Sequence, residues 1–252
     1  MSRVLHAEWT KLRTEPAARW LLPCIVVATV LVSLLAVAAA RCERGGCDFD
    51  PAALSLAGVQ LGQALVVMLA VLAIGGEQGT GLLRTTFTAA PRRTVVLAAK
   101  AVLIGGLTLA AGTVAVLGCL AAGRAILPGN GIAAPSLADG PTLRAAVGSV
   151  LYLVLIGLLA LGVAAAVRDS AASLGAVFAL LYAVPLVAAA IGDPELQRTL
   201  RRLAPMTAGL AVQATTDLDD LPIGPWAGLA VLAAWSAASL VLGAFLLHHR
   251  DP

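Results

Sequence analysis

Six long apolar runs divide this sequence, and they constrain its fold more than any other feature. Each run is close to the ~20 residues that a helix needs to cross the hydrocarbon core of a bilayer. The runs lie at residues 20–40, 54–75, 95–122, 143–167, 171–191 and 225–247. The chain is 60% hydrophobic and only 12% charged, whereas a soluble domain carries about 25% charged residues. The sequence therefore predicts an all-α polytopic membrane protein with six transmembrane helices in a single domain.

Two polar segments on the N-terminal side of the predicted bundle have helical patterns of their own. Residues 1–18 place apolar and basic side chains on different faces, which predicts an interfacial helix. Residues 81–91 place Leu83 and Phe87 on one face, and Pro91 ends the pattern. The second segment is therefore predicted to be a short amphipathic helix between two spans.

The loops on the other side also carry signals. An outer helical region is predicted over 194–214, where Asp193 can cap a helix that has Pro194 at its first position. In the loop after the first run, Cys42 and Cys47 face an oxidising compartment if the N-terminus is cytoplasmic. Two interpretations of these cysteines stay open, a disulfide that closes a small loop and two free thiols.

The basic residues indicate the orientation of the chain. With the N-terminus in the cytoplasm, ten of the 17 Lys and Arg residues lie on the inner side, and those nearest the first runs favour this orientation. Six spans then place both termini in the cytoplasm. The first run is long and lacks a small-residue cleavage site, so it is expected to stay in the membrane as an anchor.

The runs contain few groups that could carry chemistry. No Asp or Glu falls inside any of them, and Lys100 is expected to extend its amine to the inner surface. Ion-coupled transporters ordinarily use an intramembrane carboxylate or His. The glycine-rich stretch at 75–81 lacks the GK[ST] ending of a phosphate-binding loop. The sequence thus predicts no catalytic, cofactor-binding or metal-ligating set on this chain, and no nucleic-acid partner, because it has no basic tract with interleaved aromatic residues. If this chain belongs to a pump, the energy for pumping must come from another chain.

Uncharged polar side chains and glycines remain as candidates within the runs. Gln60 and Gln63 stand three residues apart in the second run. They either line a path or link helices by hydrogen bonds, and both interpretations stay open. Tyr182 is interpreted as a packing residue. Close helix packing is predicted at four glycines, namely Gly105, Gly106, Gly157 and Gly162.

Several motifs follow one another along nearly the whole chain. The sequence has LHAEWTKLRT at 5–14, LAAKA at 97–101, AAAVRDSAA at 164–172 and LAPMTAG at 203–209. The segment after the second run contains Glu77, Gly81, Arg84, Thr85, Thr86, Pro91, Arg92 and Arg93. In order and spacing these motifs resemble those of the ABC type-2 transporter permeases, of the small six-span kind common in GC-rich bacteria. Leu82 departs from the family, which commonly has Thr after the glycine.

The resemblance implies a function and a set of partners. Residues 81–91 would be a coupling helix that docks on a separate ABC ATPase through Leu83, Arg84, Phe87, Pro91, Arg92 and Arg93. Two ATPase copies, which hold ATP and Mg, and a second permease chain, as a homodimer, would complete an exporter in the bacterial plasma membrane. The expected substrate is a small amphiphilic compound such as a drug or antibiotic. Two other classes stay open, an ATP-independent secondary transporter and a non-transporting membrane anchor or sensor subunit for an ATPase.

Overall fold

The computed structural model describes residues 6–11, 16–41, 49–79 and 93–249, and these residues form helices and no strand. We number the helices α1 to α10. They span 6–11 (α1), Pro16–Ala39 (α2), Pro51–Ser55 (α3), Val59–Gly79 (α4), Arg93–Ile126 (α5), Gly140–Val167 (α6), Ser170–Ala190 (α7), Pro194–Leu203 (α8), Pro205–Leu210 (α9) and Pro225–His249 (α10). Helix α7 contains one π-helical segment, Ala179–Ala183.

Five of these helices are long and apolar enough to cross a membrane, so the chain is an all-α, multi-pass membrane protein. The five candidate spans are Arg19–Ala39, Thr94–Asn130, Gly140–Val167, Ser170–Ala190 and Pro225–His249. They correspond to five of the six predicted runs. The apolar runs of the sequence predict these helices, because an apolar helix of about 20 residues matches the thickness of the hydrocarbon core.

For the second run, 54–75, the structure differs from the single continuous helix that the sequence predicts. A turn over residues 56–58 separates α3 from α4, so the long helix of this run begins at Val59 and not at residue 54. The backbone N–H of Gly58 donates to the hydroxyl of Ser33 in α2, with a distance of 3.0 Å. A hydrogen bond from a neighbouring helix therefore supports the break in what the sequence presents as one continuous run.

Helix α6 is the centre of the bundle. It packs against α4, α5, α7 and α10, while α2 packs on the outside of α4 and α5. Of its most apolar stretch, 67% is buried inside the bundle, compared with 22–33% for the other candidate spans. The fully buried side chains of Tyr152, Leu153, Ile156 and Leu159 account for this position.

Small residues bring α6 close to its neighbours, as predicted at two of the four glycines. A Cβ atom on Gly162 would lie 2.5 Å from the carbonyl carbon of Ser239 in α10, and one on Gly157 would lie 3.2 Å from the Val66 side chain in α4. The prediction is wrong for Gly106, which has nothing within 4 Å, and for Gly105, whose nearest neighbour is at 3.9 Å. Gly106 thus stands on a helix face that no other part of the described chain approaches, and Gly105 leaves room for an ordinary van der Waals contact with Val154 of α6.

The two ends of the bundle can be told apart by the segments that gather there. The N-terminal end holds α1, the last turns of α4, the first turns of α5 and the start of α7, because Lys100 bonds to Glu8 and to the carbonyl of Ala73, and Gly75 abuts Ser170. The loop end holds α3 and residues 192–224. The predicted cap is confirmed there, since the Asp193 carboxylate accepts from the backbone N–H of Glu195.

Candidate functional site

A cluster of polar side chains lies inside the bundle around Gln63 of α4. Gln63 is 0% exposed. Its amide oxygen accepts from the hydroxyl of Tyr152 in α6, and its amide nitrogen donates to the hydroxyl oxygen of Tyr182 in α7 at 3.0 Å. The same nitrogen lies 3.5 Å from the sulfur of Met206 in α9, and Tyr182 donates to the backbone carbonyl of Gln60 at 3.0 Å. One buried amide therefore connects four helices.

This cluster sits near the middle of the central helix. Tyr152 comes 12 residues after Gly140, which is about 18 Å along a helix whose 28 residues span about 42 Å. A buried polar group at such a depth must be satisfied within the protein, because the lipid core offers no hydrogen-bond partner. The amide of Gln63 meets this requirement on both its oxygen and its nitrogen.

The backbone of α7 is irregular where it contributes to the cluster. Tyr182 belongs to the π-helical segment Ala179–Ala183, and Pro185 follows it in the next turn. Proline has no N–H to give to the preceding turn, so the helix cannot keep its regular hydrogen bonds there. Single π turns occur frequently at functional sites. The irregularity next to Pro185 thus takes the form of a wider turn that carries Tyr182.

The structure separates the two interpretations of the glutamines. Gln63 links helices by hydrogen bonds, whereas the exposed side chain of Gln60 lines a cavity. Tyr182 was expected to be a packing residue, and that interpretation is wrong because its hydroxyl bonds to both Gln63 and the Gln60 carbonyl. The sequence alone gave no sign of Met206 as a neighbour of Gln63.

The cavity lies in the loop-end half of the bundle and has a volume of about 370 Å³. The candidate span α7 contributes Pro185, and α4 contributes Gln60 near its start. The remaining wall comes from segments that do not span, namely α8, α9 with Ala211 directly after it, and residues 221–223. Most of the lining is apolar, and the polar exceptions are Gln60, Thr207 and Arg201. We call this space the loop-end cavity.

Hydrogen bonds hold the non-spanning wall together. The Nε–H of Arg202 in α8 donates to the backbone carbonyl of Pro222. The hydroxyl of Thr207 in α9 donates to the carbonyl of Arg201 at 2.7 Å. The three segments therefore form one connected wall on one side of the loop-end cavity.

Asp50 fastens this wall to the first loop. One carboxylate oxygen caps α3 by accepting from the N–H groups of Ala52 and Ala53, at 2.9 and 3.1 Å. The carboxylate also accepts from the backbone N–H and the hydroxyl of Thr215 and from the N–H of Thr216. Burial raises the pKa of Asp50, but these donors outweigh it and hold the pKa below its ordinary value. Sequence reasoning missed Asp50, although Asp50–Pro51 has the same cap pattern as Asp193–Pro194.

We expect Asp50→Ala to lower the free energy of unfolding by about 2–3 kcal/mol, because it removes a helix cap and leaves several donors of the loop end unpaired. Asp193→Ala is the matched control. Its carboxylate caps a helix in the same way but is exposed and bonds only within its own helix, so its loss should cost about 1 kcal/mol or less. Titration with SDS from mild detergent micelles, followed by circular dichroism, measures both values.

The Asp50 contribution should depend on pH in a defined direction. Because its pKa is lowered in the folded state, the stabilisation is complete above the ordinary value of 3.8 and is lost as the pH falls through the lower folded-state value. The part of the acid sensitivity that belongs to Asp50 should be missing in Asp50→Ala. Equal losses in the Asp50 and Asp193 variants would show that the carboxylate does not fasten the wall.

At the N-terminal end, Glu8 and Lys100 form a buried ion pair. Their side-chain oxygen and nitrogen are 2.6 Å apart, and Glu8 also pairs with Lys11 at 2.9 Å. Lys100 donates in addition to the carbonyl of Ala73 in α4 at 2.9 Å. Burial raises the pKa of Glu8, but the ammonium groups of Lys100 and Lys11 outweigh it and keep the pKa below its ordinary value.

This pair bears on two predictions from the sequence, the position of the Lys100 amine and the helix over residues 1–18. Lys100 is only 5% exposed, so the prediction that it extends to the surface is wrong. It stays inside because α1 brings a carboxylate to it. Of the interfacial helix predicted over 1–18, residues 6–11 are helical, with Trp9 exposed and Glu8 turned to the bundle, whereas residues 16–18 belong to α2.

The predicted docking residues Leu83, Arg84, Phe87, Pro91 and Arg92 lie outside the described residues. Arg93 is described only as the first residue of α5. Cys42 and Cys47 also lie outside them, so both interpretations, a disulfide and two free thiols, stay open.

No protein-family model matches this chain, and a comparison with curated proteins also finds no match. The membrane-spanning helical fold is thus established by the chain's own helices and their composition. The family resemblance stays a prediction that depends on the order and spacing of the sequence motifs.

Proposed function

We propose that this chain is the membrane-spanning permease subunit of an ATP-driven ABC exporter that moves a small amphiphilic compound, such as a drug or antibiotic, across the bacterial plasma membrane. The observation that carries the proposal is the loop-end cavity. It opens beside the mid-depth polar cluster, and segments that do not span the membrane form much of its wall. Through Met206 this wall contacts Gln63, so it is coupled to the spans around α6.

The proposal includes an orientation and six spans. The N-terminal end would be cytoplasmic and the loop end external, in line with the distribution of basic residues. Helix α4 would be the sixth span, although its apolar part is short. Supporting this, α4 begins beside Ser33 in the loop-end half of α2 and reaches Lys100 at the N-terminal end. Helix α3 and the turn after it would fill the remaining depth.

Energy would enter through residues 81–91, docked on a separate ATPase that carries ATP and Mg. The Glu8–Lys100 pair and the Lys100–Ala73 hydrogen bond support this route, because they join α1, α4 and α5 next to the ends of that segment. A displacement of the segment would therefore act on α4, which carries Gln63 and borders the loop-end cavity. Two ATPase subunits and a second copy of the chain would complete the exporter.

We expect Phe87→Asp to reduce ATP-driven transport at least about tenfold, because a carboxylate on the predicted apolar face would be desolvated at the docking surface. The amount of the chain in the membrane should stay unchanged. Thr88→Asp places the same charge on a different face of the same segment and is the control, with a much smaller effect. The measurement is transport into inverted vesicles, together with copurification of the proposed partner ATPase.

Three results would contradict the proposal. Unchanged ATPase binding and transport in Phe87→Asp would remove the docking assignment. Transport by the purified chain in liposomes without any ATPase would instead identify a secondary transporter. A complex whose ATP hydrolysis responds to no transported compound would identify a non-transporting anchor or sensor.

A further inference from the structure

We propose that the loop-end cavity binds a small single-chain or ring amphiphile with a carboxylate or phosphate group, which the Arg201 guanidinium holds. This inference rests on the proposed function, for which it names the substrate class and places a release site at the loop end. The charge, the apolar lining and the volume of the cavity support this assignment.

The charge of the cavity comes from Arg201. Helix α8 contains three arginines, and two of them have partners at the loop end. Arg198 lies 3.9 Å from Glu195, and the guanidinium of Arg202 donates to the carbonyl of Pro222. Among the described residues, no ion pair involves Arg201, which lines the cavity. A guanidinium stays charged at all physiological pH values and can bind a carboxylate or phosphate through two parallel hydrogen bonds.

The rest of the lining suits an apolar body. Met206, Leu210, Leu221 and Ile223 face the space together with Pro185. Gln60 contributes an amide that can bond to an uncharged polar group of the ligand. One cation at the wall and apolar side chains across most of the surface fit an anionic amphiphile better than a sugar, a peptide or a cation.

The volume limits the size of the ligand. About 370 Å³ lies near the lower end of the range of ligand pockets, about 300–1,000 Å³. A two-chain phospholipid is too large to enter as a whole, but its headgroup carries the same phosphate chemistry. The experiment therefore has to distinguish a free amphiphile from the headgroup of a bilayer lipid.

The test uses the full chain in nanodiscs of phosphatidylcholine and measures the binding of radiolabelled decanoate. Arg201→Gln should weaken binding about tenfold or more, the size expected when one charge-assisted hydrogen-bonded contact is lost. Arg198→Gln, on the same helix but outside the cavity, is the matched control and should bind like the wild type. Arg201→Lys keeps the charge and should retain most of the affinity. Leu210→Trp keeps Arg201 but fills the cavity, and it should abolish binding.

Each other outcome overturns the assignment. Equal affinity in Arg201→Gln and Arg198→Gln would show that the cavity charge does not bind the anion. Competition by decyltrimethylammonium as strong as by unlabelled decanoate would remove the anion selectivity. Loss of decanoate binding when phosphatidylglycerol is added to the discs would assign the site to a lipid headgroup.

The binding measurement needs no ATPase, so it can fail independently of the proposed function. Decanoate binding without any ATP-driven transport would support the site and count against the exporter. ATP-driven transport by a chain that does not bind decanoate would support the exporter and overturn the site.

Discussion

Replacing Lys100 with methionine is expected to lower the free energy of unfolding by about 3 kcal/mol, the lower part of the range for breaking a buried ion pair. Methionine keeps most of the volume and removes the ammonium group, so one oxygen of Glu8 loses its cation in a site where Glu8 is 2% exposed. Lys11 still contacts the other oxygen, which keeps the loss from being larger. SDS titration of the purified chain in mild detergent, followed by circular dichroism, gives the value.

Two variants separate the buried pair from a general effect of charge. The Lys11 side chain is 37% exposed and bonds to the same carboxylate, so Lys11→Met should cost about 1 kcal/mol or less. Adding Glu8→Gln to Lys100→Met removes the uncompensated charge and should recover much of the lost stability. Equal losses for Lys11→Met and Lys100→Met would contradict the buried pair.

The same pair has a pH signature. The pKa of Glu8 is lowered in the folded state, so its contribution is complete above the ordinary value of 4.5 and disappears as the pH falls through the folded-state value. Glu8→Gln should lack this part of the acid sensitivity. A wild type and a Glu8→Gln variant with parallel stability curves between pH 6 and about pH 3 would show that Glu8 is not held by its lysines.

Gly162→Ala is expected to lower the free energy of unfolding by about 2–3 kcal/mol. The added methyl group would lie 2.5 Å from the carbonyl carbon and 2.5 Å from the hydroxyl oxygen of Ser239. The first of these is backbone, which cannot rotate away, so α6 and α10 must move apart. Overpacking of this kind typically costs 1–3 kcal/mol, and here it weakens the contact on which the central helix depends.

Gly106→Ala is the matched control, because Gly106 also lies inside a membrane-spanning helix but has nothing within 4 Å. Alanine restricts the unfolded chain more than glycine, so this change should stabilise the fold by about 0.5–1 kcal/mol. The two substitutions are chemically identical, but they should change the free energy of unfolding in opposite directions. A loss of similar size in both variants, measured in the same SDS titration, would contradict the close approach of α6 and α10.

The sequence predicted five of the helices that can span a membrane, because the length of an apolar run alone decides them. Five apolar runs became five helices able to cross a membrane, because apolar length is a local property that the bilayer thickness selects. The helix cap at Asp193 was predicted for the same reason, since the cap and the N–H groups it binds are neighbours in sequence. The break inside 54–75 was missed, because it depends on a hydroxyl of α2 that bonds to Gly58.

For the candidate site, the sequence identified Gln60 and Gln63 but could not assign their roles. A glutamine in an apolar run signals a buried hydrogen bond or a polar path, and only the neighbours of the side chain distinguish the two. Gln63 forms a hydrogen bond with Tyr152, which is 89 residues away in sequence, whereas the side chain of Gln60 lines the loop-end cavity. Two residues one helical turn apart thus have different roles.

The sequence by itself determined that this chain is a membrane protein made of helices, because hydrophobic length and local caps need no distant partner. The tertiary structure decided which polar groups are satisfied and by what. Asp50 and Thr215 are 165 residues apart, and the buried Lys100 is faced by the carboxylate of Glu8 and the carbonyl of Ala73. The cost of burying a charge or an amide depends on the group that faces it, and that group is set by the packing of the helices.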